Sequence, residues 1–211
     1  VCAAVLEHIL DRTPSPSLTG LAASHSARYL VPLRQLVVVP ARLRPGGKVA
    51  LISPSGPHAD SELHLVDRAV SLLESWGLIV AKQPTYRSPH PYLAGSDEYR
   101  VRCFLDAYTD PAVEAVLCTR GGYCAARPCA LLDDAAIRDH HKILVGYSDI
   151  TALLFYVQRV TGTVVYHGPN VATERVVGDN PSARTVSALH AALFEQAPTA
   201  YDIRAISRGY A

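Results

Sequence analysis

The stretch from Leu144 to Tyr156, LVGYSDITALLFY, is an apolar run that breaks at Gly-Tyr-Ser-Asp and resumes with helical spacing. It sets Ser148 where a strand gives way to a helix. There a hydroxyl can stand clear of the backbone, and the amides of Asp149 and Ile150, in the first helical turn, lack intrahelical partners and can face an anion. A serine so placed can attack a carbonyl while nearby amides hold the oxyanion that forms. The pattern is half of a nucleophile elbow: of G-x-S-x-G, Gly146 is present and Ile150 takes the last position. The same residues fit a second role, in which the Ser148 hydroxyl caps the helix by accepting an amide bond. Local sequence leaves both open. Asp149 reads as a first-turn carboxylate favouring its own helix dipole rather than as a general base.

A second loop, Thr119-Arg120-Gly121-Gly122-Tyr123, could complete such a site. Two adjacent glycines let backbone approach a neighbour without a Cβ, so an amide of Gly121, Gly122 or Tyr123 could join that of Asp149 in an oxyanion hole. A plain tight turn explains the glycines equally well. Arg120 could grip a carboxylate with two parallel hydrogen bonds, or form an exposed salt bridge. The Gly-Gly pair lacks the G-x-G-x-x-G order and no GK[ST] follows, so no nucleotide cofactor is expected. The nine histidines form no HExxH, and no metal site is expected.

These loops need elements to hold them. KVALIS at 48–53 reads as a strand ending in the turn Pro54-Ser55-Gly56-Pro57. Residues 61–76 repeat apolar side chains at helical spacing (Leu65, Ala69, Leu72, Leu73, Trp76), with Ser61 as cap and Gly77 as stop. LIVA at 78–81 is the next strand. Ser96 caps a helix that turns Tyr99, Cys103 and Phe104 to a sheet, and VEAVLC at 113–118 is a strand buried on both faces. A helical region at 125–138, the strand KILVGY, the helix DITALLFYVQRV stopped by Gly162, the strand in TVVYHGP at 163–169 and a helix over 182–195 follow. LVPLRQLVVVP at 30–40 could hold a short strand. Alternating strand and helix predicts an α/β fold: an open, mostly parallel sheet with helices on both faces, a flavodoxin-like three-layer sandwich. Loops at the carboxyl ends of parallel strands gather at one edge, which brings 53–57, the long loop after Ala81, 119–124, 146–149 and 166–169 together.

Composition limits the partners. Twenty Lys and Arg against 19 Asp and Glu give no field for nucleic acid, and no apolar run is long enough to cross a bilayer. Cys2, Cys103, Cys118, Cys124 and Cys129 form no Cys-x-x-Cys pair and fit a reducing, cytoplasmic compartment. Cys124, with no neighbouring histidine in sequence, is a poor nucleophile. A chain that begins at Val1 and holds no methionine is expected to be a piece of a longer protein.

The strings VALISPSGP (49–57), LAGSDEYRVRCFLDAYTDPAVEAVLCTRGGYCAAR (93–127), LLDD (131–134), KILVGYSDITALL (142–154) and HGP (167–169) together resemble the amino-terminal domain of the LD-carboxypeptidases. These serine peptidases, which include the microcin C immunity proteins, release D-alanine from murein tetrapeptides during murein recycling. The resemblance divides the chain into an extension (1–45), a nucleophile domain (46–197) and the start of a linker (198–211). It implies that Ser148 is the nucleophile, that the amides of Asp149 and Gly122 hold the oxyanion, and that Arg120 and Tyr123 line the substrate edge. It implies a murein-derived peptide as substrate, a homodimer, and no cofactor. Where the family commonly has glycine, this loop has Cys124. The family's base is a histidine supported by a glutamate from a carboxyl-terminal domain, which this sequence is expected to lack, so that hydrolysis by this chain alone should be negligible. His167, with Glu174 as orienter, is the internal candidate for a base, although the family's His-Gly-Pro is not its triad histidine. Two other readings stay open: a non-catalytic peptide-binding protein of the same fold, and a hydrolase of microcin C-type peptide-nucleotides.

Overall fold

The computed structural model describes residues 37–83, 87, 88 and 90–195. Its strands are β1 (Lys48–Ile52), β2 (Ile79–Lys82), β3 (Val113–Cys118), β4 (Ile143–Gly146) and β5 (Tyr166–His167). They form one sheet in the order β2-β1-β3-β4-β5, and every neighbouring pair is parallel. The helices are α1 (Leu63–Ser75), α2 (Asp97–Thr109), α3 (Ala126–Cys129), α4 (Asp134–Ile137), α5 (Thr151–Thr161), α6 (Glu174–Val177) and α7 (Ala183–Phe194). This is the α/β architecture that the alternating pattern predicts, in the flavodoxin-like strand order.

Two cores flank the sheet because side chains alternate along each strand. Leu51, Leu117 and Val145 point to the layer of α1, α6 and α7, where they meet Leu73, Val176 and Leu189. Ile52, Val116 and Leu144 point to the other layer, against Phe104 and Tyr108 of α2 and Leu154 and Val157 of α5. Gly162 ends α5 in the left-handed conformation (φ 69°), and Ser96 caps α2 by accepting the Tyr99 amide, both as the sequence predicts. The strand order reverses between β1 and β3, a switch point where the two following loops diverge and leave a crevice.

Four local expectations fail for identifiable reasons. Ser61 does not cap α1. A 3-10 turn at Asp60–Glu62 precedes that helix, begun at Ala59, whose amide donates to the Glu62 carboxylate. The helical region at 125–138 divides into α3 and α4, since Asp133 starts a fresh cap by accepting the Ala135 amide. The strand within 163–169 shrinks to two residues because Thr163 and Val164 turn to Val38 instead (Val164 N to Val38 O, 2.8 Å). On α2 the fully buried polar position is Arg100, while Tyr99 stays partly exposed. Of the segment 30–40, only residues 37–40 fall within the described residues; Leu43, beyond it, is buried and donates its amide to Leu193. The TPSPS turn, Cys2 and the segment 198–211 lie outside the described residues.

Candidate active site

The turn after β4 holds a strained serine. Gly146 closes the strand because Ile150 packs onto it: a Cβ there would stand 2.4 Å from Ile150 Cγ2. Tyr147 is extended (φ −150°) and Ser148 swings to φ 65°, in the left-handed region. For a residue with a Cβ that conformation costs roughly 1–2 kcal/mol, so it persists only where neighbours impose it. Asn170 is such a neighbour. Buried at 3% exposure, its side chain grips both sides of the Tyr147 peptide, accepting from Tyr147 N at 3.1 Å and donating to Tyr147 O at 3.3 Å. Asn170 is held in turn by Val171 and Ala172, whose amides donate to Cys118 O and Thr119 O at the end of β3. Ser148 makes no side-chain capping bond: it lies inside a 3-10 turn, Ser148–Ile150, and Tyr147 takes the N-cap position. The capping role is therefore not realised, and the hydroxyl is exposed.

The Gly-Gly loop meets this turn at van der Waals distance. A Cβ on Gly121 would lie 3.1 Å from Ser148 Cβ and 3.4 Å from its Oγ. Gly122 has φ 142°, and a Cβ there would stand 2.7 Å from Gly56 N, so this position requires glycine. The turn after β1 supports the loop from below, with Gly56 N donating to Gly121 O at 3.1 Å. Asp149 stands in the first turn, as expected, and its carboxylate also reaches across the loops. It accepts from Ser55 Oγ at 2.5 Å and from Ala125 N at 2.8 Å. A carboxylate can take several donors converging from separate loops, which a first-turn dipole contact would leave unmet. Beneath both loops lies Arg100, 1% exposed, donating to Pro54 O at 2.9 Å and to Cys124 O, and paired with Asp97. Cys124 itself sits at φ 64°, a conformation that glycine adopts without the strain a side chain brings.

A cleft of about 330 Å³ opens above Ser148. Ser148, Arg120, Gly121, Gly122 and Glu174 all line it. Tyr123 stands outside the lining, 64% exposed, with its ring 6.1 Å from that of Tyr92. His167 also stands outside it: its Nε2 lies 3.2 Å from Thr151 Oγ1 and its ring packs edge-on against Tyr147 at 5.6 Å. Arg120 is already engaged, donating through Nη1 to Pro57 O at 2.8 Å and to Glu62 Oε2 at 2.6 Å. Beside this pair His58 is 6% exposed, with Nδ1 3.9 Å from Glu62 Oε2. Burial first, and the Arg120 charge second, push His58 down from 6.5 to about 4 against the opposing pull of Glu62. Burial pushes the thiols of Cys103, Cys118 and Cys129 up, which makes them poor nucleophiles. Among the described residues no cluster of His, Cys, Asp or Glu could hold a metal ion.

Several of these residues escape a reading of the sequence alone. Asn170 directly follows the HGP string, and His58 directly follows SPSGP, yet neither belongs to a motif whose spacing announces a role. Arg100 hides within a helical repeat, where arginine ordinarily faces solvent.

A doubly wound α/β domain with a left-handed serine between β4 and α5 and a glycine loop across from it defines a recognisable class. The chain belongs to the LD-carboxypeptidase family: the LD-carboxypeptidase N-terminal domain matches residues 49–168. A putative carboxypeptidase of Streptomyces coelicolor is 40% identical over 77% of this chain and 51% of its own length. A probable murein peptide carboxypeptidase of Bacillus subtilis is 38% identical over 64% of this chain and 41% of its own. Among solved structures, an MccF-like protein from Bacillus anthracis superimposes with a TM-score of 0.66 and 30% identity, covering 75% of this chain and 47% of that one. The chain thus spans about half the length of the relatives it matches.

Proposed function

We propose that this chain carries the nucleophile half of a serine LD-carboxypeptidase that cleaves the L,D bond of murein tetrapeptides and releases D-alanine. The observation that carries the reading is the left-handed Ser148, strained, exposed on the cleft and preceded by a Tyr147 backbone that Asn170 clasps. Strain of this kind is held where geometry must be fixed in advance of reaction. Ser148 Oγ attacks the scissile carbonyl and gives up its proton to a base. The amides of Asp149 and Gly122 take the oxyanion, the amine of D-alanine leaves with a proton, and water then releases the acyl group. Arg120 flanks the substrate, whereas Tyr123, outside the cleft lining, is left without the role the resemblance implies for it. The base, a histidine paired with a glutamate, comes from outside the described residues. His167 is engaged with Thr151 and Tyr147 rather than Ser148, which disfavours the internal pair with Glu174. The protein acts in the cytoplasm as a homodimer, without a cofactor.

The likeness to an MccF-like structure keeps a peptide-nucleotide substrate as the second reading. Among the described residues no helix is long and apolar enough to cross a membrane. The test is hydrolysis by the product of the whole gene, offered a murein tetrapeptide and an aspartyl-adenylate analogue. Release of D-alanine that disappears in Ser148→Ala supports the first reading. Cleavage of the analogue alone supports the second, and ligand binding without turnover of either supports a non-catalytic peptide binder.

A further inference from the structure

The HGP string brings His167 beside the nucleophile turn without making it the base. β5 pairs with β4 so that His167 stands opposite Gly146, two residues before Ser148. From there its side chain braces both flanks of the serine: the ring packs edge-on against Tyr147 at 5.6 Å, and Nε2 lies 3.2 Å from Thr151 Oγ1. Thr151 Oγ1 in turn donates to Ser148 O at 2.6 Å, joining the Thr151 amide on the same carbonyl. A threonine hydroxyl has a single hydrogen, and a carbonyl oxygen can only accept. With that hydrogen spent on Ser148 O, Thr151 Oγ1 can only accept from the ring, so the proton of a neutral His167 sits on Nε2. Proton count thus fixes the direction of the relay: His167 Nε2–H to Thr151 Oγ1, and Thr151 O–H to Ser148 O.

Ser148 O shares a planar peptide with the Asp149 N–H, and in a trans peptide the two point in opposite directions. Holding the carbonyl toward Thr151 therefore aims the amide the other way. Asn170 donates to Tyr147 O at 3.3 Å and so holds the peptide on the other side of Ser148. Both peptides that flank the left-handed serine are pinned, each by a different side chain. We propose that His167 and Thr151 are positioning residues for the oxyanion: through Ser148 O they set the direction of the Asp149 N–H that receives it. A donor fixed in advance costs no reorganisation as charge develops, and a hydrogen bond on the carbonyl polarises the N–H of the same peptide. The inference rests on the serine peptidase reading for the charge that the amide meets, and on hydrogen-bond direction for the relay itself.

Two measurements on the product of the whole gene test this. Imidazole nitrogen chemical shifts report which ring nitrogen carries the proton: His167 should be the Nε2–H tautomer, and Thr151→Val, which removes the acceptor, should give a mixture and move the Asp149 amide resonance. Rates of D-alanine release from a murein tetrapeptide report the consequence. Thr151→Val should lower kcat about tenfold and leave KM within about twofold, a fraction of the roughly 10²–10³-fold that loss of a whole oxyanion donor costs. Thr151→Ser, which keeps the hydroxyl, should restore most of the rate. His167→Leu should lower kcat about threefold, and His167→Gln, whose amide N–H can make the same donation, should recover it. Added to Thr151→Val, His167→Leu should cost nothing further, since the two act through one bond. An Nδ1–H tautomer, a loss confined to KM, additive effects, or a His167→Gln rate no better than that of His167→Leu would overturn the proposal. Release abolished by His167→Leu yet kept in Thr151→Val would also overturn it, by making His167 the base. Absence of release by the unsubstituted protein would instead strike the serine peptidase reading, and the tautomer and the Asp149 resonance would still decide the relay.

Discussion

Two non-glycine residues occupy left-handed backbone among the described residues, Ser148 at φ 65° and Cys124 at φ 64°, and they carry different consequences. Each pays strain of roughly 1–2 kcal/mol, which glycine would relieve at an entropic cost of roughly 0.5–1 kcal/mol. Ser148→Gly should therefore raise stability by about 0.5–1 kcal/mol while removing the reactive hydroxyl, a trade of stability against function. Cys124→Gly should give a similar gain and leave activity intact, because the thiol makes no part of the proposed chemistry. Urea unfolding midpoints of the two variants check this. A loss of stability in Ser148→Gly would mean that the hydroxyl or Cβ, rather than the backbone clasp of Asn170, holds the turn.

At the scale of elements, the site is three loops joined by buried polar groups. Arg100 of α2 ties the turn after β1 to the loop after β3, through Pro54 O and Cys124 O, while Asp149 ties both to the turn after β4. Arg100→Met preserves the length and apolar stem but strands two carbonyls and half of the Asp97 pairing, whose other oxygen keeps Arg127 at 2.7 Å. The expected cost is about 3 kcal/mol by thermal or urea unfolding. A change below about 0.5 kcal/mol would show that the loops do not depend on this clasp. Much of this architecture was legible beforehand. The VEAVLC strand, the Ser96 cap, the Gly162 stop and the meeting of loops at one edge follow from alternation and local chemistry. Ser148 and the Gly-Gly loop were visible because their geometry is encoded by adjacent residues. Asn170, His58 and Arg100 were not, since each acts on residues far away in sequence: Arg100 reaches Pro54 over 46 positions and Asn170 reaches Tyr147 over 23. The cap at Ser61 failed because Glu62, one residue on, bonds the Ala59 amide and starts the helix earlier.

At the scale of the molecule, the buried His58 links the cleft to stability. Its value in the fold is about 4 against 6.5 ordinarily. Between those two values the unfolded chain binds a proton that the folded chain refuses, so stability falls as pH drops through that window, by roughly 2–3 kcal/mol in all. His58→Leu should flatten the loss between pH 6.5 and 4 in urea unfolding followed across pH; an unchanged slope would show that His58 stays neutral for no such reason. The central claim is that Ser148 is a poised nucleophile whose base lies outside the described residues. Its most direct test is D-alanine release from a murein tetrapeptide, measured for the 211-residue chain, for its Ser148→Ala variant and for the product of the whole gene. The account predicts negligible release by the chain alone and release by the whole product that Ser148→Ala abolishes. Release by the 211-residue chain itself, lost on Ser148→Ala, would contradict it and return the role of base to a residue such as His167.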